Sequence, residues 1–147
     1  MADDPRFPHG PDGPSVHELA GGDEAFFALV ERFYALVERD EVLRPVYPED
    51  LEPGKRALAL FLAQYWGGPR TYEQERGHPR LRMRHAPFEV TPSGALRWAH
   101  HMAQAVRDMQ FHAAVERSLL EYVRRFTPQM VNQLPPDDPL VIVPPGS

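Results

Sequence analysis

A chain of 147 residues, 42% hydrophobic and 25% charged, is long enough for one domain around a single core. Its net charge of -5, with acidic and basic residues interspersed, gives no basic footprint for nucleic acid. There is no cysteine, which excludes disulfides, thiolate-held iron–sulfur clusters, cysteine nucleophiles and thioether attachment of a cofactor.

The first segment, residues 1–14, is acidic and rich in proline and has few apolar side chains to bury. It is expected to be a disordered tail, and it lacks the basic-then-apolar pattern of a secretory signal. Ser15-Val16-His17-Glu18 matches a capping box that opens a short helix, and Gly21-Gly22 ends it. Asp23 then opens a helix to about Arg39, with Phe26, Val30, Phe33, Tyr34 and Val37 on one stripe. Asp40 to Tyr47 is a short connection, broken at Pro45 and Pro48.

A second long helix is predicted from about Pro53 to Trp66, closed by Gly67-Gly68-Pro69. Its inner face reads Gly54, Leu58, Phe61, Leu62 and Tyr65. Pro79 and Pro87 confine the next helix to barely two turns. Thr91-Pro92 starts another, with Ala95, Trp98, Met102, Ala105 and Met109 at apolar positions. The last, about His112 to Val131, carries Leu119, Leu120, Val123 and Phe126, with a kink expected at Pro128. Residues 132–147 are interrupted by prolines and are expected to be largely disordered.

No stretch alternates with period two long enough for a strand, so the fold class is all-α, with one domain over residues 15–131. No apolar run approaches the roughly 18 residues of a membrane span. A soluble, cytoplasmic protein without stable membrane insertion is the expectation.

The segment RGHPRLRMRHAPF, Arg76 to Phe88, holds two histidines seven residues apart. On a helix they would share a face but lie about 10.5 Å apart along the axis, too far for one coordination shell. His78 precedes Pro79, which biases it out of helical geometry and toward a cap or loop role. His85 lies one turn after Leu81, on its inward face, among Met83, Ala86 and Phe88. Taken alone, it also fits a core histidine satisfied by a backbone carbonyl. The adjacent His100 and His101 point about 100° apart and form no chelate. His112 is placed to cap the last helix, and no zinc spacing occurs. A single histidine ligand makes sense where a cofactor supplies the other positions, as haem does with four nitrogens.

Tyr34, Tyr47 and Trp98 sit on otherwise apolar stripes of three separate segments. Each buried phenol or indole needs a hydrogen-bond partner. Any one of them fits a core anchor bonded to backbone; all three aimed inward suggest donors converging on something polar.

RFYALVERDEVLRPVYPED (Arg32 to Asp50), FLAQYWGGPRTYEQERGHPRLRMRHAPF (Phe61 to Phe88) and RWAHHM (Arg97 to Met102) together resemble group II truncated haemoglobins, the two-over-two globins. The resemblance runs from about Gly21 to Val131. It implies a two-over-two helical sandwich around haem b with a very short proximal helix, and His85 as the proximal iron ligand. Tyr34, Tyr47 and Trp98 would then be the distal hydrogen-bonding residues. Gly54, Leu58, Phe61 and Tyr65 would line the haem pocket from the distal helix. Leu81, Phe88 and Met102 complete its expected apolar lining, and Arg84 is the arginine nominated to pair with a haem propionate. The chain departs from the family pattern in a shorter connection at Leu51 to Pro53 and in its long tails.

The resemblance implies reversible binding of O2, and of CO and NO, at ferrous iron, with tight O2 binding and slow release. The alternative is a haem redox enzyme that removes peroxide or nitric oxide using an external reductase, since the chain has no flavin or nicotinamide module. A helical interaction module without haem is the remaining reading, and self-association is left open.

Overall fold

The computed structural model describes residues 4–76 and 92–132, with side chains as far as Thr127. Helix α1 (Val16–Ala20) opens with the expected capping box: Ser15 Oγ accepts the Glu18 amide at 3.2 Å, and the Ser15 amide donates to the Glu18 carboxylate at 3.5 Å. Gly21, at φ 115°, ends it in the left-handed conformation that a side chain would disfavour.

Helix α2 (Asp23–Glu38) buries Phe26, Leu29, Val30, Phe33, Tyr34 and Val37, one continuous stripe. Asp23 and Glu24 in its first turn complement the helix dipole. Each fully buried large apolar side chain on such a stripe is worth about 1.5–3 kcal/mol over leaving it exposed. A 3-10 turn, Arg44–Val46, follows with Pro45 inside it. Helix α3 (Glu52–Tyr65) takes Pro53 in its first turn and buries every residue from Ala57 to Ala63. A helix buried all round lies between other elements rather than on a surface.

The Gly67-Gly68 exit from α3 is dictated by close packing. Gly67 has φ 102°, and a Cβ on Gly68 would lie 2.7 Å from the Ala63 carbonyl oxygen and 2.5 Å from the His17 ring. Helix α4 (Thr71–Arg76) comes next. The sequence reading did not foresee it, since TYEQER offers a single buried residue, Tyr72, whose ring meets Phe61 edge-on at 5.4 Å.

Helix α5 (Pro92–Asp108) buries Gly94, Ala95, Trp98, Met102, Ala105 and Val106. Helix α6 (Ala113–Asn132) begins as expected at His112, whose Nδ1 accepts the Ala114 amide at 3.2 Å, and its helical span includes Pro128. The predicted short helix between Pro79 and Pro87, the Thr91 cap and the segment after Asn132 lie outside the described residues.

Helix α2 packs on α3, α5 packs on α6, and α2 crosses to α5, so two helix pairs enclose one core. There is no strand among the described residues. Residues 4–14 run in turns against this body: the Val16 amide donates to the Arg6 carbonyl at 2.7 Å, and His9 meets His112 edge-on at 6.4 Å. No described helix is long and apolar enough to cross a membrane.

Candidate functional site

Tyr34 sits on the buried stripe of α2 with no exposed surface. Tyr47 leaves the 3-10 turn in extended conformation, its amide donating to the Arg44 carbonyl at 3.1 Å, which turns its ring into the core. The two phenol rings meet edge to face, 5.6 Å between centroids and 79° between planes. Trp98 approaches from α5 and is gripped by Phe33 (5.4 Å) and Phe126 (5.6 Å), both near edge-on. Three residues named from separate segments of the sequence are thus brought to one place.

Phe33 links them, meeting Tyr34 and Trp98 at 5.4 Å each, so Tyr47, Tyr34, Phe33 and Trp98 form one buried aromatic row. The Tyr47 phenol carries one O–H donor for an acceptor placed beside it. Burial pushes both phenols well above their ordinary range; the neighbouring Tyr47 adds to the effect at Tyr34, and the Trp98 side chain, a donor only, opposes it at Tyr47. Both therefore stay neutral O–H donors across the physiological range.

The apolar candidates surround this cluster within the same contiguous core. Leu58 and Phe61 are buried on α3, Gly54 is buried in its first turn, and Met102 is buried one turn after Trp98 on α5. Tyr65 is half-buried at the end of α3, between Phe61 at 6.1 Å and Tyr122 at 4.8 Å. His85, Leu81, Arg84 and Phe88 lie outside the described residues, as do His78, Arg80 and Arg82.

One polar group beside the site had no place in the sequence reading. Asp40 follows the C-terminal end of α2, where the helix dipole disfavours a carboxylate, yet its side chain is only 2% exposed. Oδ1 accepts the Val42 amide (2.8 Å), the Leu43 amide (3.1 Å) and Arg97 Nη1 (3.0 Å); Oδ2 meets His101 Nε2 at 2.7 Å. Burial alone would raise this carboxyl. The His101 bond, the two amides and Arg97 outweigh it and hold Asp40 well below the usual carboxylate range.

The model of the bacterial-like globin family matches residues 15–132. The chain is a group II truncated haemoglobin. It is 36% identical over 117 residues to the Group 2 truncated hemoglobin YjbI of Bacillus subtilis, covering 80% of this chain and 89% of that protein. Among solved structures, the hemoglobin of the thermophilic phototroph Chloroflexus aurantiacus is 45% identical, with TM-score 0.76, over 82% of this chain and 99% of the other. A truncated oxygen-avid haemoglobin from Bacillus subtilis is 35% identical, with TM-score 0.72, over 80% and 98%. In the plant relatives that match, the aligned part is about half of their length. The two helix pairs described above are the two-over-two sandwich of this family.

The residues present in this truncated haemoglobin fit a haem on its distal side. A flat apolar macrocycle would need apolar walls, and the buried Leu58, Phe61 and Met102 are of that kind; a polar ligand on one face would need buried donors, and Tyr34 and Tyr47 are such donors. Asp40 and His101 escaped sequence reading because they stand 61 residues apart. The one available signal was an aspartate just beyond a helix, followed two and three residues on by amides it can cap.

Proposed function

We propose that this truncated haemoglobin binds O2 reversibly at ferrous haem b, holding it tightly and releasing it slowly, with CO and NO as further ligands. His85 is assigned as the proximal iron ligand. When bound, the haem would supply a ferrous iron able to take up a diatomic gas.

The protein's part is to meet the charge that the gas acquires. Tyr47 donates its O–H toward the ligand, and Trp98 brings an indole N–H donor to the same buried cluster. Tyr34, edge to face with Tyr47 and fully buried, brings a second phenol to the same side. In a dry site such donors are worth more than water's own, since they need no reorganisation when the ligand arrives. Leu58, Phe61 and Met102 keep the surroundings apolar. Arg84 is the residue assigned to a haem propionate, as a charge-assisted bond at the exposed edge.

The observation that carries this reading is the buried cluster of Tyr34, Tyr47 and Trp98, its two phenols edge to face at 5.6 Å inside an apolar core. The avidity for oxygen named for the related Bacillus subtilis haemoglobin agrees with it. Stopped-flow measurement of O2 dissociation tests it: slow release in the parent protein supports the reading, and release no slower from the parent than from Trp98→Phe contradicts it.

A further inference from the structure

We propose that Asp40 is a positioning residue for the distal pair, its carboxylate setting the distance and angle at which Tyr47 meets Trp98. The proposal deepens the gas-binding reading and rests on it for its ligand-release arm.

Two cross-links join the Asp40–Tyr47 corner to α5. One is the Asp40 carboxylate with Arg97 Nη1 (3.0 Å) and His101 Nε2 (2.7 Å); the other is the packing of Tyr47 and Trp98 into one buried aromatic row through Tyr34 and Phe33. On α5 the anchor points fall within about one turn, with Arg97 immediately before Trp98 and His101 three residues after it. On the other side the connecting corner is itself stiff. The Arg44 amide donates to the Asp40 carbonyl at 2.8 Å, the Val46 amide to Leu43 at 2.9 Å, and the Tyr47 amide to Arg44 at 3.1 Å. The Arg44 guanidinium ties the exit of the corner through the carbonyls of Pro48 (2.9 Å) and Glu49 (3.0 Å).

A stiff corner fixed at Asp40 has little freedom left at Tyr47. The carboxylate faces two ways at once: its Oδ1 caps the amides of Val42 and Leu43, which start the corner, while both oxygens hold side chains of α5. Moving Asp40 relative to α5 therefore moves the Tyr47 ring relative to the Trp98 indole. None of these groups touches the gas; their effect passes through Tyr47.

The test compares Asp40→Asn, His101→Leu and His101→Gln in the full chain, with and without haem. Asparagine keeps the shape of Asp40 and loses the charge. Leucine removes the His101 ring nitrogen, and glutamine returns a donor. The chain has two tryptophans, so two indole N–H resonances appear in a nitrogen–proton correlation spectrum, and Trp66→Phe assigns them. We expect Asp40→Asn and His101→Leu to shift the Trp98 signal and to raise its hydrogen-exchange rate at least tenfold. The Trp66 signal stays in place, and His101→Gln stays within twofold of the parent. In the ferrous haem-loaded protein, the first two variants are expected to release O2 at least threefold faster.

Unchanged Trp98 exchange and O2 release in both Asp40→Asn and His101→Leu, even with a lowered melting temperature, would leave the cluster a purely structural clamp and overturn the proposal. If Asp40→Asn does not fold, His101→Leu decides, because its side chain is partly exposed and its loss leaves the two amide caps of Asp40 intact. If the chain takes up no haem, the gas-binding reading fails, while the Trp98 signal in the haem-free chain still tests the positioning role by itself.

Discussion

Tyr47 meets Tyr34 edge to face at 5.6 Å, and Trp98 joins the same row through Phe33. In the proposed network Trp98 acts on the gas through Tyr47, so removing either affects the same donor. Tyr47→Phe is expected to speed O2 release by about ten- to a hundredfold, the effect of losing one bond of about 1.5–3 kcal/mol to a charged acceptor. Trp98→Phe should give a smaller acceleration, since it weakens the Tyr47 donor without deleting it. The double variant should then release O2 at about the rate of Tyr47→Phe alone. Stopped-flow dissociation checks this, and multiplicative effects would mean that the two residues act separately.

His85→Ala is expected to abolish stable haem uptake, while His78→Ala leaves the absorption spectrum close to that of the parent. The two substitutions divide the histidines of the Arg76–Phe88 segment by function. Hemin titration of the purified variants reads the difference. A His85→Ala protein that keeps the parent's ferrous spectrum would move the axial ligand elsewhere.

Asp40 links the site to acid stability. Its folded carboxyl titrates below the unfolded range, near 3.9 for an aspartate, so its stabilisation is complete above that range and is lost as pH falls through the folded value. Asp40→Asn should thus be less stable than the parent by about 1.5–3 kcal/mol at pH 7, the size of a bond to a charged group. The gap should stay level down to about pH 5 and narrow progressively below about pH 4. Urea denaturation of both proteins over that range measures it; a gap constant down to pH 2 would show that the charge contributes nothing.

Gly68→Ala should destabilise the fold by about 1–3 kcal/mol, a typical cost of forcing an extra methyl into a packed position. The new Cβ would stand 2.7 Å from backbone at Ala63 and 2.5 Å from the His17 ring. Thermal denaturation gives the value. Because the clash lies at the α3 exit and not among the distal residues, O2 release from the folded fraction should be unchanged.

Much of the helical frame was legible in the chain because its signals are local. The Ser15–Glu18 capping box, the α2 stripe from Phe26 to Val37 and the Gly67-Gly68 stop all rest on neighbours within a few residues. Helix α4 was missed for the same reason: TYEQER has no stripe, and only Tyr72 packing on Phe61 reveals its inward face. The all-round burial of Ala57 to Ala63 was also hidden, because periodicity names one face and α3 uses every face.

At the site the division is different. Spacing alone marked Tyr34, Tyr47 and Trp98 as unusual, but their common purpose came from the family resemblance, and their meeting at one point from the fold. The Asp40 clamp was invisible in both ways. His101 was judged only against its neighbour His100, while its partner waits 61 residues upstream.

The central claim, that the chain binds a ferrous haem able to take up a diatomic gas beside these donors, is tested most directly by the visible absorption spectrum of the purified, dithionite-reduced protein before and after CO. The account predicts a Soret band that sharpens and shifts on CO addition, with one haem per chain. A protein that remains colourless after incubation with hemin, or a reduced Soret band indifferent to CO, would contradict it.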